Sequence, residues 1–393
     1  MKKKTNIQLA SRNACTGCAA CASVCPTGSI TMREDKEGFL QPHIDAKTCI
    51  SCHKCEKTCP IVSPITIPTD FETQAYAAIN KDEAIRMRSS SGGMFHTLAK
   101  WTIEQGGVVF GARFNDQWEV VHDYTETLEG IEPFMRSKYV QSRIGDTFKQ
   151  AKQFLEQGRQ VLFVGTPCQI GGLKAYLHKE YDNLLMVDFI CHGVPSPKIW
   201  KKYVEETVRG DKLLSFNFRD KSDGWNSNQC IIAATTTTIT RAKLMDNPFF
   251  RGFRKEIYLR PSCYMCQFRT YHRISDFTIA DFWGVDQRCP SMYDNKGTSI
   301  VFIHTQLAQN VFKDLSDGLH TKIQSREDAT CGNPGMDYEN PEQSPITRKL
   351  FYIAYHLVSF RCAMQIVDVI STTKGTFVKY IGKLKRKINK ILK

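Results

Sequence analysis

The sequence predicts two folded units in tandem: a small α+β unit built on cysteine loops, then an α/β unit with a mixed, mostly parallel sheet. Three observations predict this. A run of four cysteines is duplicated near the front of the chain, short β-rich runs alternate with helical ones from residue 74 onward, and 41% of the 393 residues are hydrophobic against 24% charged, as in a folded protein. The length suggests two or three domains of about 150 residues each. No apolar run approaches the ~20 residues that span a bilayer, and Met1-Lys2-Lys3-Lys4 is followed by no apolar leader, so a cytoplasmic location is expected.

In the first unit the repeated runs are Cys15, Cys18, Cys21, Cys25-Pro26 and Cys49, Cys52, Cys55, Cys59-Pro60, with a period of 34. Sixteen cysteines in a chain read as cytosolic point to metal or cluster ligation, because that compartment keeps thiols reduced. Thiolates at i, i+3 and i+6 reach three irons of one cubane, and the fourth is carried on a short helix toward the neighbouring cluster. Cys15, Cys18, Cys21 and Cys59 are therefore expected to hold one 4Fe–4S cluster, and Cys49, Cys52, Cys55 and Cys25 the other. Structural zinc favours two separated Cys pairs and has no use for a third cysteine at i+6. Small residues at Gly17, Ala19, Ala20, Ala22 and Ser51 let backbone amides approach the sulfurs, and 35–38 reads as a turn between the halves. This ferredoxin-type domain is placed at 5–69, with repeats of about 5–35 and 40–69, and prolines 64 and 68 mark an extended connector behind it.

The α/β unit is divided into segments 74–155 and 156–330. Strands are expected at 74–80, 107–114, 160–164 and 184–190, and helices at 94–105, 146–157, 169–180 and 196–208. The loop Ser89-Ser90-Ser91-Gly92-Gly93 offers hydroxyls, unhindered amides and a helix N-terminus together, which suits a phosphate group; an ordinary Ser-capped helix has the same pattern. Cys168 falls in the first turn of a helix, a place that stabilises a thiolate, and Cys191 follows the next strand. Both would lie at carboxyl ends of strands, where α/β sheets place ligands. Cys263-x-x-Cys266 adds two thiols. Together the four would complete a third 4Fe–4S set, while structural zinc or separate core thiols fit the same spacing. Cys230, Cys289, Cys331 and Cys362 have no partner spacing and are read as packing residues.

At Ser90-Ser91-Gly92-Gly93, 137–142 (Ser-Lys-Tyr-Val-Gln-Ser), Gly165-Thr166-Pro167-Cys168-Gln169, Cys191-His192-Gly193, Cys263-x-x-Cys266 and 275–284, the chain resembles the family of beta subunits of coenzyme F420 hydrogenases and dehydrogenases. The resemblance covers most of residues 5–320. It implies an α/β flavin-binding domain holding FAD, with a cluster beside it and two-electron exchange with a reducible acceptor. It makes Ser91, Gly92, Gly93, Lys138 and Gln141 candidate flavin contacts and Cys168, Cys191, Cys263 and Cys266 candidate cluster ligands. Clusters carry single electrons whereas a flavin also releases a hydride, so clusters feeding a flavin convert one to the other. A surface lysine is the plain alternative for Lys138, and for His192 a satisfied loop histidine is favoured over a proton relay.

The expected function is thus an iron–sulfur flavoprotein oxidoreductase. Its partners would be a redox protein or ferredoxin as donor, and a small-molecule or deazaflavin acceptor such as coenzyme F420. A non-catalytic electron-transfer subunit, or a redox protein of a membrane-associated polysaccharide pathway, is the alternative. The formal charge of +13 is concentrated in 374–393, which holds eight Lys or Arg and no acid, so nucleic acid is not an expected partner. Phe377, Tyr380, Ile381, Leu384, Ile388 and Ile391 recur at helical spacing between those charges. The helical region 346–393 would end in a basic amphipathic tail suited to the inner face of a membrane, or packed on the body with a solvated lysine face.

Overall fold

The computed structural model describes residues 6–67, 69–226, 229–336 and 340–372. The cysteine unit comprises helix α1 (Ala20–Ser23), strands β1 (Ile30–Glu34) and β2 (Leu40–Ile44), and helix α2 (Lys54–Lys57). The strands pair antiparallel from Ile30↔Ile44 to Glu34↔Leu40, through a turn in which the Asp35 carboxylate accepts from the N–H groups of Glu37 and Phe39. The 34-residue repeat is written in the backbone as well. Gly17 and Ser51 take φ of 72° and 54°, and Ala19 and His53 take 62° and 56°. These left-handed residues fold each three-cysteine run back on itself before α1 or α2 leads to the fourth cysteine.

The body continues with β3 (Gln74–Asn80), α3 (Glu83–Arg88), α4 (Met94–Glu104), β4 (Val108–Phe114), β5 (Val120–Thr125), α5 (Thr147–Glu156), β6 (Val161–Val164), α6 (Pro167–Leu177), β7 (Leu184–Phe189) and α7 (Pro197–Val208). Then come β8 (Leu213–Asp220), β9 (Cys230–Thr235), β10 (Ile239–Lys243), α8 (Pro248–Arg254), β11 (Phe277–Asp281), α9 (Val285–Arg288), β12 (Ser299–Ile303), α10 (Gln306–Asp314), β13 (Leu319–Gln324), α11 (Arg326–Thr330), α12 (Pro345–Leu357) and α13 (Phe360–Thr372).

Eight strands form one sheet in the order β13-β3-β12-β11-β7-β6-β4-β5. Its centre is parallel, at β4/β6, β6/β7 and β7/β11, and its flanks are antiparallel. The expectation of a mostly parallel sheet is corrected here. β5 returns on β4 as a hairpin and β12 returns beside β11 without a crossover helix, and such connections impose antiparallel pairing. Segments 74–155 and 156–330 both contribute strands to this sheet, with β3 seated between β12 and β13.

Alternation along β6 shows how the sheet is covered. Val161 and Phe163 pack with Phe148 of α5 and with Ile170 and Leu173 of α6, while Leu162 and Val164 pack with Leu98 of α4. A second, three-stranded antiparallel sheet, β10-β9-β8, closes an aromatic core of Trp200, Tyr203, Phe218, Phe249 and Tyr258. Phe351 of α12 and Phe360 of α13 complete that core. The basic stripe of 374–393 lies outside the described residues. Among the described residues no helix is long and apolar enough to cross a membrane.

Candidate electron-transfer site

The twelve motif cysteines fall into three groups. Burial pushes the Cys18 thiol up to about 11, with Cys15 and Cys59 adding repulsion. Burial also raises the Cys21 thiol, helped by Cys18, Cys15, Cys59 and then Cys55. Cys15, Cys18, Cys21 and Cys59 therefore face one another, as the crossed ligand pattern of the repeat requires, and Cys55 lies next to them. The remaining four, Cys25, Cys49, Cys52 and Cys55, line one cavity with Ile7, Ile30 and Ile44. Cys52 is exposed, so this second group is the outer one, whereas Cys15, Cys18 and Cys21 are buried.

The third group is assembled from three separated parts of the chain. Cys168 is the second residue of α6, whose capping box joins Thr166 and Gln169. Its Sγ lies 3.2 Å from Thr166 Oγ1. Burial raises the Cys168 thiol, and Cys266, Cys191 and Cys263 raise it further. Cys191 is pushed up to about 11 and Cys263 to about 12, by burial first and by their cysteine neighbours next. The expected helix-stabilised thiolate at Cys168 is thus corrected: desolvation and crowding by three other sulfurs outweigh the helix N-terminus. Such thiols become thiolates when a metal takes the charge.

Three contacts set the first and third groups side by side. A Cβ at Gly172 of α6 would fall 3.0 Å from Cys18 Sγ. Gln267, next to Cys266, donates to the carbonyl of Pro60, next to Cys59 (3.2 Å). Arg260 Nε donates to the carbonyl of Cys15 (2.7 Å), while its own carbonyl accepts from the N–H of Cys263 (2.9 Å). The groups run in the order outer, inner, third.

Cys230 and Cys289 are buried as packing residues should be, but Cys331 and Cys362 are exposed, which corrects that reading for both. His192 lies 3.2 Å from the Glu256 carboxylate, and burial with Arg254 and Arg269 nearby pushes its pKa down to about 4. At neutral pH it is a neutral imidazole.

The Ser90–Gly93 loop sits at the carboxyl end of β3, in the layer that also carries Cys168 and Cys191 beyond β6 and β7. Ser91 Oγ donates to Thr298 O (2.7 Å), the Gly92 N–H donates to Ser299 Oγ (3.0 Å), and Ser90 and Ser137 share a hydroxyl contact (3.0 Å). The alternative of a Ser-capped helix is not met: Gly93, at φ 97°, occupies the cap of α4 and makes no side-chain cap bond. Lys138 is no free surface lysine. Its Nζ donates to the carbonyls of Pro133 (2.8 Å) and Met135 (2.6 Å), and burial of the ammonium beside Arg136 lowers its pKa to about 7. Gln141, a candidate flavin contact, has its amide engaged on the cluster loop. Nε2 donates to Thr16 O and Oε1 accepts from Arg260, both at 2.9 Å.

Several residues of this region carry no mark in the sequence. Lys221 Nζ donates to the carbonyls of Arg86, Ser91 and Lys296 (2.7, 2.9 and 2.8 Å), pinning the loop from below. The Trp225 indole N–H donates to Ser90 O (3.2 Å), and its ring stacks on Trp283 at 5.0 Å. Gly92 admits nothing larger: a Cβ there would lie 2.2 Å from Ala78 O and 2.7 Å from Ser299 N. Gly92→Ala is expected to cost about 1–3 kcal/mol by overpacking, read as a lower thermal midpoint. Gly318→Ala, with nothing within 4 Å of its Cβ, is the neutral comparison; equal midpoints for the two variants would refute the close approach.

Fold and site together define an iron–sulfur electron-transfer protein with an α/β body. Residues 14–62 match the family described as 4Fe-4S dicluster domain, and residues 158–329 match the family described as the C terminus of the beta subunit of coenzyme F420 hydrogenase/dehydrogenase. The chain thus carries a 4Fe-4S dicluster domain followed by a domain similar to the C-terminal part of coenzyme F420 hydrogenase/dehydrogenase beta subunits. It is 22% identical over 218 residues to the F subunit of the F420H2 dehydrogenase of Methanosarcina mazei, covering 51% of this chain and 61% of that protein. An uncharacterized protein of Methanocaldococcus jannaschii is 23% identical over 200 residues, 44% of this chain and 55% of that one. The matched stretch therefore spans less than two thirds of either relative. A chain from the F420-reducing NiFe hydrogenase complex of Methanosarcina barkeri aligns with a TM-score of 0.43 at 18% identity, over 78% of this chain and 96% of that one.

Proposed function

We propose that this chain is an iron–sulfur flavoprotein, one component of a larger redox assembly, that receives single electrons at the outer dicluster group and passes them inward through Cys15/Cys18/Cys21/Cys59. From there they reach a third 4Fe–4S cluster on Cys168, Cys191, Cys263 and Cys266, and then FAD. Hydride leaves to a reducible acceptor, of which coenzyme F420 is the candidate favoured by the family. One observation carries this reading: four thiols from three distant parts of the chain converge beside the buried dicluster group.

For the flavin, the groups that fit are the uncapped amides that follow Gly93 at the start of α4, the close backbone approach that Gly92 and Gly93 allow beside Ser91, and the positive charge of carbonyl-held Lys138; the Gly92 N–H and carbonyl are themselves taken by Ser299 and Asn80. A helix N-terminus of this kind favours a phosphate. Bound FAD would supply the one- to two-electron conversion. The protein would hold its phosphates and ring in place, with Lys221 and Trp225 fixing the loop.

Anaerobically purified and reconstituted protein is expected to contain about twelve irons and one FAD. Iron at about four or fewer, or the absence of flavin from protein with a full iron complement, would reject this arrangement. Photoreducing the clusters and following bound flavin and added coenzyme F420 separates an enzyme from a pure electron conduit: turnover of the acceptor disfavours the conduit.

A further inference from the structure

We propose that Arg260 is the charge-setting link between the inner dicluster group and the Cys168/Cys191/Cys263/Cys266 group, a buried guanidinium whose counter-ions are the two clusters themselves. The inference rests on the reading that both groups hold clusters.

Arg260 is 1% exposed. Its guanidinium donates to Cys15 O (2.7 Å), Gln141 Oε1 (2.9 Å) and Leu40 O (2.9 Å), all of them neutral acceptors. It is held between the Gly17 backbone and the Phe39 ring. A Cβ at Gly17 would fall 2.6 Å from Nη1, and the buried Phe39 ring centroid lies 5.5 Å from the guanidinium carbon. Of the five other buried arginines, Arg269 donates to the Cys191 carbonyl (2.7 Å) and the remaining four provide the contrast. Arg86 pairs with Asp294, Arg219 with Asp281, Arg273 with Asp188 and Arg348 with Glu37. None of the ion pairs among the described residues includes Arg260.

A buried cation without an anion is costly, and neutral carbonyls soften that cost without cancelling the charge. A 4Fe–4S core with four thiolates carries about two negative charges. One such core held through Cys15 and another through Cys263 would place anions on both sides of Arg260. In return, the cation favours the more negative, reduced state of each neighbour and raises both reduction potentials, because net charge and hydrogen bonding set cluster potentials. The outer group on Cys25, Cys49, Cys52 and Cys55 lies beyond the inner one and should be least affected.

The test is an anaerobic redox titration of the fully loaded chain, followed by electron paramagnetic resonance, in the parent protein and in Arg260→Gln, Arg260→Lys and Gln141→Glu. Arg260→Gln removes the charge. Gln141→Glu sets a carboxylate where the Gln141 oxygen now meets Nη1, and so reports even if Arg260→Gln does not fold. The two adjacent clusters are expected to shift to lower potential in both variants, to stay near the parent value in Arg260→Lys, and the outer cluster not to move. Unmoved potentials in the charge-removing variants overturn the proposal. So does an Arg260→Lys shift as large as that of Arg260→Gln, the result expected of a clamp that acts without its charge. A parent protein holding about eight irons, with Cys263 and Cys266 open to alkylation, would instead reject the third cluster, and the shift at the inner dicluster cluster would still decide the role of Arg260.

Discussion

Replacing Cys263 and Cys266 together by serine is expected to lower the iron content of anaerobically reconstituted protein from about twelve to about eight, while the spectra of the dicluster pair persist. Electrons placed on that pair should then no longer reach the flavin. The selectivity follows from construction. The dicluster cysteines all lie within residues 15–59, whereas the proposed third set lies after β6 and β7 and at 263–266. Iron quantification with cluster-specific paramagnetic signals checks this. Loss of all three clusters at once would contradict independent sites, and an unchanged iron content would remove these cysteines as ligands.

The second large effect is expected at Arg348→Met. Arg348 of α12 is buried, donates to the carbonyls of Ile257 (3.1 Å) and Leu259 (2.8 Å) and to the Tyr264 hydroxyl (3.2 Å), and pairs with Glu37 in the turn of the dicluster hairpin. One side chain thus ties the cysteine unit, the segment leading to Cys263 and the C-terminal helices together. Removing it leaves the Glu37 carboxylate, 19% exposed, without this buried partner, although Arg12 still reaches it at 3.1 Å. Breaking a buried pair costs about 3–5 kcal/mol, or roughly 10 °C in thermal midpoint for domains of this size. Calorimetry of the loaded protein measures it, and a midpoint within a degree or two of the parent would show that the latch is dispensable.

What can be read from the sequence is what chemistry writes locally. The crossed ligand sets expected of the dicluster unit are a reading of spacing alone: three sulfurs of each set sit within seven residues, and a short helix carries the fourth cysteine of each run toward the three of the other. Cys168 and Cys191 stand out by their places after strands. That they meet Cys263 and Cys266 depends on the β7/β11 pairing and on the path of 259–267, which no local pattern encodes. The strands β8 to β10 escape notice because register shifts between Leu213 and Ser215 and between Asn217 and Asp220 break the two-residue alternation. Gln141 makes a contact that the sequence does not announce. Its neighbourhood in sequence draws it toward the flavin, yet its amide closes on Thr16, more than a hundred residues earlier in the chain. Arg260 is visible in sequence only as a flank of Cys263-x-x-Cys266, and Lys221 not at all, because a lone basic residue looks solvated until the fold buries it.

The unequal exposure of the two dicluster groups also bears on how the molecule is made and mended. The inner thiols lie behind α6, with Gly172 against Cys18 and Arg260 on the Cys15 loop, so iron and sulfide would reach them most easily before the hairpin closes onto the body. The outer group, reached through exposed Cys52, stays open to a delivery protein after folding is complete. Loading of the dicluster unit would then run from the inner group outward, and oxygen would reach the outer group before the inner one.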